Sequence, residues 1–126
     1  MSAELEKGLV GLLSGVAGVH PVLPQPPVFP AIRYQRIYTT RQYSVDGSLA
    51  GVVEVGMQVD CIAETYEAAK STADAVRAIL SGYTGTWGTL TARFVTLESE
   101  NDFNQQDGDD VTHWVTQRYR VWTNMD

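Results

Sequence analysis

The chain has 126 residues, a length that fits one domain, residues 1–126. Apolar residues make up 44% of it, enough for a hydrophobic core, and its formal charge is −6. So acidic a chain lacks the positive surface that neutralises phosphates, which excludes nucleic-acid binding by counterion release as its main activity.

The first predicted element is a helix over residues 2–14, where Ser2 can act as the N-cap and leucines recur at helical spacing. Gly15 and Gly18 are expected to end it. The start, MSAELEKG, has two acids before its only lysine, unlike the positively charged beginning of a signal peptide. No apolar run is long enough to span a membrane. We therefore expect a protein that is cytosolic when made and has no membrane partner.

Residues 20–30, HPVLPQPPVFP, contain all five prolines of the chain. Proline fixes φ and removes a hydrogen-bond donor, so this segment is predicted to be an extended, irregular arm. The simpler interpretation is a rigid crossover from helix to sheet. The alternative is a recognition motif for a proline-binding domain.

A first strand is predicted over residues 31–38, which are rich in isoleucine and tyrosine. Residues 39–51 have little pattern and are predicted to be a long loop or a protruding hairpin. This segment is longer than adjacent strands need, and Arg41, Gln42 and Tyr43 are residue types suited to interfaces. We expect it to contact a neighbouring subunit or a partner, with a disordered surface loop as the alternative.

The stretch VGMQVDCIAETYEAAKSTADAVRAIL changes period halfway. Residues 52–62 alternate apolar and polar, which predicts a strand with one buried face, and Cys61 falls in the apolar phase. Thr65 is predicted to cap a helix over residues 65–81 that ends at Gly82. The apolar stripe expected to face the sheet comprises Tyr66, Ala69, Ala73, Val76 and Leu80.

Residues 81–88, SGYTGTWG, are predicted to be a turn-rich link with Tyr83 and Trp87 as exposed aromatics. A third strand is predicted over residues 89–98. Residues 100–110, ENDFNQQDGDD, are predicted to be an acidic turn. Their spacing faintly resembles a calcium loop, but the required glycine and bidentate glutamate are missing, so a solvated hairpin loop is the better interpretation.

The fourth strand is predicted over residues 111–123, with valines and a tyrosine in its inward phase. Its opposite phase carries Trp114, Arg118, Arg120 and Trp122, residue types that interfaces use. Either a partner covers this face, or the N-terminal helix or the proline arm covers it within the chain. The pattern alone leaves both interpretations open.

The predicted order of elements is α-β-β-α-β-β. Because the paired strands are neighbours in sequence, we expect an α+β domain with a four-stranded, mainly antiparallel sheet and two helices packed on one face. No catalytic or phosphate-binding motif occurs, and His20 and His113 are isolated in the sequence. We therefore predict no enzymatic activity, no metal and no cofactor.

Four segments of the chain follow the layout of a known family. They are the end of the first helix, LLSGVAGVHPVLP, the entry PPVFPAIRYQRI, the block MQVDCIAETYEAAKSTADAVRAIL and the late strand YRVWTNMD. In this pattern the chain resembles the tail terminator, or tail completion, family of long-tailed bacteriophages, prophages and gene transfer agents. The resemblance covers most of the chain and implies a structural virion protein.

The resemblance further implies a hexameric ring at the head-proximal end of the tail. Such a ring caps the tail tube, stops its polymerisation and joins the tail to the head, so its implied partners are the tube protein and a neck or head-completion protein. DNA would pass an acidic lumen without specific binding, since like charges repel. The alternatives are another head–tail connector component and a small-ligand-binding or hydrolase-like α+β domain, which would need a closed pocket.

Overall fold

The computed structural model describes residues 4–43 and 49–123, which form two helices and six strands around one hydrophobic core. The helices are α1, Glu4–Leu13, and α2, Tyr66–Leu80. The strands form one sheet with the order β1-β2-β3-β6-β5-β4. They are β1, Gly18–His20; β2, Ala31–Tyr43; β3, Leu49–Ala63; β4, Gly85–Trp87; β5, Leu90–Asp107; and β6, Asp110–Thr123.

The sheet differs from the predicted one. The prediction of four mainly antiparallel strands is wrong, because the described sheet has six strands and is mixed. β1 pairs parallel with β2, while the other neighbours pair antiparallel. The predicted order lacks β1 and β4 because each has only three residues, too few for a period-two pattern. The α+β class agrees with the structure.

The caps of α2 are formed by the residues that the sequence predicts. The backbone N–H of Ala68 donates to the Thr65 hydroxyl at 3.2 Å, and Thr65 itself has extended backbone angles. At the other end Gly82 has a φ of +76°, a left-handed conformation that favours glycine. Local chemistry therefore determines where this helix begins and ends.

Both helices pack on one face of the sheet, here the inner face. The predicted apolar phase of β3, which includes Cys61, is buried there, and burial raises the pKa of the Cys61 thiol to about 12. The stripe of α2 is confirmed except at Tyr66, which is 47% exposed because its hydroxyl reaches outward to Asp102. The buried residues of α2 are Ala69, Thr72, Ala73, Val76 and Leu80.

α1 is held in place by Trp87. This side chain is fully buried, and its Nε1 donates to the carbonyl of Leu5 at 2.7 Å. A Cβ atom on Gly8 would lie 2.3 Å from Trp87 Cδ1, so only glycine lets the helix approach the indole this closely. The prediction that Trp87 is exposed is therefore wrong, since its covering residues come from the other end of the chain. Arg36 adds an ion pair to Glu6 at 2.7 Å.

The β2–β3 hairpin extends past one end of the sheet. The pairing of β3 with β6 ends at Val53 of β3 and Thr123 of β6. β2 and β3 remain paired beyond this point, as far as Tyr43 and Leu49. Most of the predicted segment 39–51 therefore lies in hairpin strands, and residues 44–48 lie outside the described part of the chain.

The β5–β6 hairpin extends past the opposite end. In β6, residues from His113 onward pair with β3, whereas residues 110–112 pair only with β5. The hairpin ends there in a two-residue turn at Gly108 and Asp109. Gly108 has a φ of +63°, as the first position of a type II′ turn requires. The predicted acidic turn over residues 100–110 is wrong, because residues 100–107 continue β5.

Candidate functional site

The outer face of the sheet, turned away from the helices, brings charged and aromatic side chains together. Residues opposite each other on antiparallel strands share a face, so the register places polar positions of β3 beside those of β2 and β6, and those of β6 beside β5. They form two clusters. The Trp114 cluster comprises Arg33, Gln58, Asp60, Phe103, Trp114 and Thr116, and the Trp122 cluster comprises Tyr38, Glu54, Phe94, Glu98, Arg120 and Trp122.

Asp60 is the charged centre of the Trp114 cluster and is only 1% exposed. Its carboxylate accepts hydrogen bonds from Arg33 Nε at 3.0 Å and Nη2 at 2.9 Å. Gln58 Nε2 donates to it at 3.1 Å and the Thr116 hydroxyl at 2.8 Å. A carboxylate can be buried at moderate cost only with partners of this kind, so the cluster is a complete structural network.

Trp114 lies between Arg33 and Phe103. The guanidinium carbon of Arg33 is 5.0 Å from the centroid of the indole ring, and the Phe103 ring stacks at 5.3 Å with planes 24° apart. The indole Nε1 donates to the Thr112 hydroxyl at 3.0 Å. Trp114 is consequently 9% exposed, although it lies on the face without helices.

The proline arm borders this cluster. A cavity of about 340 Å³ lies between the arm and the outer face, and Phe29 lines it together with Ile62 and Trp114. The arm thus borders one end of the outer face across this cavity, while the Trp114 indole itself is contacted by Arg33 and Phe103. The other arm residues that line the cavity are Leu23, Gln25 and Pro27.

The Trp122 cluster is more open. Arg120 Nε donates to Glu98 Oε1 at 2.8 Å and lies 3.6 Å from Glu54 Oε2, while its guanidinium carbon is 5.5 Å from the centroid of the Trp122 ring. The side chains of Arg120 and Glu98 are 37% and 38% exposed. Phe94, beside Trp122 in the register, is 46% exposed. Aromatic rings and an arginine are thus presented together to solvent.

Tyr38 belongs to the same cluster and covers a glycine. A Cβ atom on Gly56 would lie 2.1 Å from Tyr38 Cε2, so the ring rests where a side chain would otherwise stand. Its hydroxyl donates to Glu54 Oε2 at 3.0 Å. Burial, and then this hydrogen bond, raise the pKa of Tyr38 above its usual value, while the hydrogen bond with Glu98 raises the pKa of Arg120. The cluster therefore keeps a neutral phenol and a charged guanidinium at neutral pH.

The other predicted interface residues are scattered. Arg118 is exposed on the outer face, between the two clusters. Arg41 lies on the protruding part of β2, and the side chains of Gln42 and Tyr43 lie outside what the structure describes. Tyr83 belongs to the region where α1 docks. Its hydroxyl donates to the Thr86 carbonyl, and the centroid of its ring lies 5.7 Å from that of the Trp87 ring.

Sequence reasoning missed the carboxylates of this face, Glu54, Asp60 and Glu98. Each lies in the polar phase of its strand and is typical of a solvated position. The available signal was the alternation of β3, which places Glu54 and Asp60 on the same face. Only the strand register, however, pairs them with arginines.

Within residues 4–43 and 49–123, the structure brings no three His, Cys, Asp or Glu side chains together as a metal ion would need. Neither helix of the described chain has the length and apolar character to cross a membrane.

The chain is similar to known proteins both in sequence and in fold. A family model described as "Tail completion protein gp17" matches residues 7–124. Among solved structures, a chain of "Virion of native gene transfer agent (GTA) particle" superposes with a TM-score of 0.70 at 14% sequence identity, covering 98% of this chain and 93% of that chain. At this identity the likeness concerns the fold alone. No protein with a curated description matches.

Proposed function

The chain belongs to the tail completion protein gp17 family, a family of structural phage-tail proteins, and from this premise we propose that it caps the tail tube as a ring. In this role it stops polymerisation of the tube and joins the tail to the head or neck. The observation that carries the proposal is the family match, which spans residues 7–124 of 126.

The shape of the subunit supports a ring with different partners above and below it. The β2–β3 and β5–β6 hairpins extend past opposite ends of the sheet, so one subunit can reach two partners at once. In the proposed assembly six copies close the ring, and these partners are the tail tube protein and a neck or head-completion protein. The net charge of −6 favours a lumen through which DNA passes without specific binding.

The residues proposed for contacts are the exposed ones of the outer face and the hairpin. Arg118, Arg120 and Trp122 combine charge with aromatic area, which favours protein contacts over a wet surface. Arg41 and its neighbours on the β2–β3 hairpin are proposed to contact the adjacent subunit or the tube. Trp87 is not proposed as a contact residue, because it is fully buried within the subunit.

The proposal is tested in the particle. Omitting the protein during assembly should give overlong tails and unattached heads in negative-stain images, and restoring the wild-type chain should reverse both defects. Omission that leaves tail length normal but heads unattached would instead indicate a neck component, the second candidate function. Normal infectious particles without the protein would contradict both.

A deletion of residues 42–49 tests the hairpin separately. It joins Arg41 to Ala50, and because Arg41 pairs with Val53, a three-residue loop containing Gly51 would remain. The described residues that are lost, 42, 43 and 49, lie beyond the last pair of β3 with β6, so the subunit should remain folded by circular dichroism. We expect overlong tails and unattached heads from this folded variant, whereas normal particles would exclude the hairpin from the contact.

A further inference from the structure

Two long strand edges of the sheet are only partly covered. β1 pairs with residues 31–33 of β2, and β4 pairs with residues 90–92 of β5. In the part of the chain that the structure describes, residues 34–43 of β2 and 93–107 of β5 therefore have a strand on one side only. The outward N–H and C=O groups of such an edge are a template for a further strand.

We propose that the free edge of β2 in one subunit pairs with the free edge of β5 in a second copy of this chain, so that one sheet continues from subunit to subunit. The inference rests on the proposed function, because the ring supplies the neighbouring copy. It adds to that function a specific lateral contact, made mainly by backbone hydrogen bonds.

The strand directions favour this pairing. β2, β3, β6 and β5 alternate in direction, since each pairs antiparallel with the next. With four such strands, β2 and β5 of one subunit run in opposite directions. A second copy in the same orientation therefore presents β5 antiparallel to β2 and continues the alternation, with its helices on the same side of the sheet. Across the sheet Ser99 lies level with Gln35, so residues 99–107 meet the free edge of β2 only when the neighbouring copy is shifted along the strand direction. A head-to-tail contact of this kind closes into a ring when the strands tilt enough to absorb that shift and the rotation per subunit allows closure.

Space for an added strand exists beside β2. A cavity of about 440 Å³ lies where β1 ends and the uncovered part of β2 begins. Four consecutive β2 residues line it, as expected for a groove that follows a strand. The lining residues are Glu6, Pro21, Arg33, Tyr34, Gln35 and Arg36.

The charges of the two edges differ in sign. β2 carries three arginines and no carboxylate, whereas β5 carries four carboxylates and one arginine. Like charges opposite each other destabilise a strand pair, so β2 with β2 and β5 with β5 are disfavoured relative to β2 with β5. Arg33 and Arg36 already bind Asp60 and Glu6 within the subunit. Glu98, Glu100 and Asp102 of β5 are likewise paired within the subunit, with Arg120, Arg77 and Lys70. Charge therefore contributes only a weak preference, and the backbone supplies most of the contact.

On β5, the proposed pairing with a second copy uses the part of the strand that has no bulges. Bulges interrupt the pairing of β5 with β6 between Ala92 and Phe94 and between Leu97 and Ser99, and bulges twist an edge away from added strands. From Ser99 to Asp107 the register with β6 is unbroken. The free edge of β2 has register shifts with β3 between Arg36 and Tyr38 and between Arg41 and Tyr43, so its longest regular part is residues 38–41. Residues 99–107 are thus the longest regular free edge that the structure describes.

Proline substitutions test the pairing without knowledge of the register between subunits. The outward N–H groups alternate along an antiparallel edge strand, so one of the neighbours Asn104 and Gln105 donates to β6 and the other points to the free edge. Asn104→Pro and Gln105→Pro are compared with Asn104→Ala and Gln105→Ala, which keep the N–H. Urea unfolding of the full-length protein identifies the proline variant that remains folded.

We expect the folded proline variant to self-associate roughly tenfold or more weakly in sedimentation velocity and native mass spectrometry, because it loses a donor and adds a bulky ring at the edge. Both alanine variants should assemble like the wild type. A folded proline variant that assembles normally, or a wild-type chain that stays monomeric at every concentration tested, would overturn the inference.

Hydrogen–deuterium exchange keeps the test decisive if both proline variants unfold. On assembly, the wild-type chain should show slowed exchange in residues 34–41 and 99–107. Assembly without that protection would overturn the edge pairing and leave the proposed function standing. Normal tails from particles that lack the protein would defeat the function, whatever the exchange pattern.

Discussion

The Trp114 cluster and the Trp122 cluster use similar residues on the same sheet face, yet they differ in burial. Each places an arginine over a tryptophan and pairs it with a carboxylate. Asp60 is 1% exposed, whereas the Glu98 side chain is 38% exposed. The difference lies in the surroundings, because Asp60 is on the central strand β3 and is enclosed by Arg33, Gln58 and Thr116, whereas Glu98 lies at a bulge of β5. The same residue types thus stabilise the subunit where the chain covers them and are available to a partner where it does not.

Replacing the two tryptophans should separate these roles most strongly. Trp114→Ala removes a nearly buried indole and should lower the free energy of unfolding by about 3 kcal/mol, as for other large core side chains. Trp122→Ala removes a half-exposed one and should lower it by about 1 kcal/mol or less. Urea unfolding measures both. Under the proposed function, Trp122→Ala should weaken assembly while it remains folded. Equal destabilisation by the two variants would contradict the comparison.

Replacing the two carboxylates should give the next largest contrast. Asp60→Ala leaves Arg33 without its ion pair and removes the acceptor of Gln58 and Thr116, which should lower the free energy of unfolding by about 2 kcal/mol. Asp60→Asn, the matched control, keeps the shape and an acceptor oxygen and should cost less. Glu98→Ala breaks an exposed pair and should leave the urea midpoint almost unchanged. A large loss from Glu98→Ala would show that the Trp122 cluster also supports the fold.

The smallest effect is the titration of Tyr38 in the Trp122 cluster. Its pKa is raised above 10.0 by burial and by the hydrogen bond to Glu54, so the fold favours the neutral phenol. This stabilisation is present below the pKa of an unfolded tyrosine and is lost as pH rises through the folded pKa. Glu54→Gln should lower the pKa of Tyr38 while burial keeps it above the ordinary value.

Tyrosinate absorbance, taken as the difference between each protein and its Tyr38→Phe variant, measures this shift. The same difference taken with Tyr66→Phe reports the titration of Tyr66 and serves as the control. Its pKa is raised chiefly by Asp102, on another part of the surface, so Glu54→Gln should leave it unchanged. An unchanged Tyr38 titration in Glu54→Gln would mean that the hydrogen bond contributes nothing.

Elements with local signals could be predicted from the sequence. The hydroxyl of Thr65, the left-handed Gly82 and the alternation of β3 each act over a few residues, and the structure confirms all three. The second half of β5 lacks such a signal, because residues 101–106 are exposed on both faces and show no apolar alternation. The Gly108–Asp109 dipeptide, with glycine at the first position of a two-residue turn, was the available hint.

The candidate site was only half predictable for a different reason. The aromatic and arginine residues of β6 could be identified because interface composition is visible in one strand. Whether an aromatic side chain is covered depends on residues distant in sequence: Arg33 and Phe103 contact Trp114 of β6, and α1 encloses Trp87 of β4. Pairing Arg33 with Asp60 requires the register of β2 with β3, which alternation alone does not specify.

The hydrogen bond from Trp87 to the Leu5 carbonyl has a consequence for synthesis of the chain on the ribosome. The two residues are 82 positions apart. At translation rates of about 5–20 residues per second, α1 waits roughly 4–16 seconds after its own emergence before its indole partner follows. During that interval the apolar stripe of α1 lacks its final cover and is exposed to chaperones or to other nascent chains. A nascent chain stalled before Trp87 should therefore leave α1 sensitive to protease, and a full-length chain stalled on an added C-terminal linker that frees Thr123 from the ribosome should protect it.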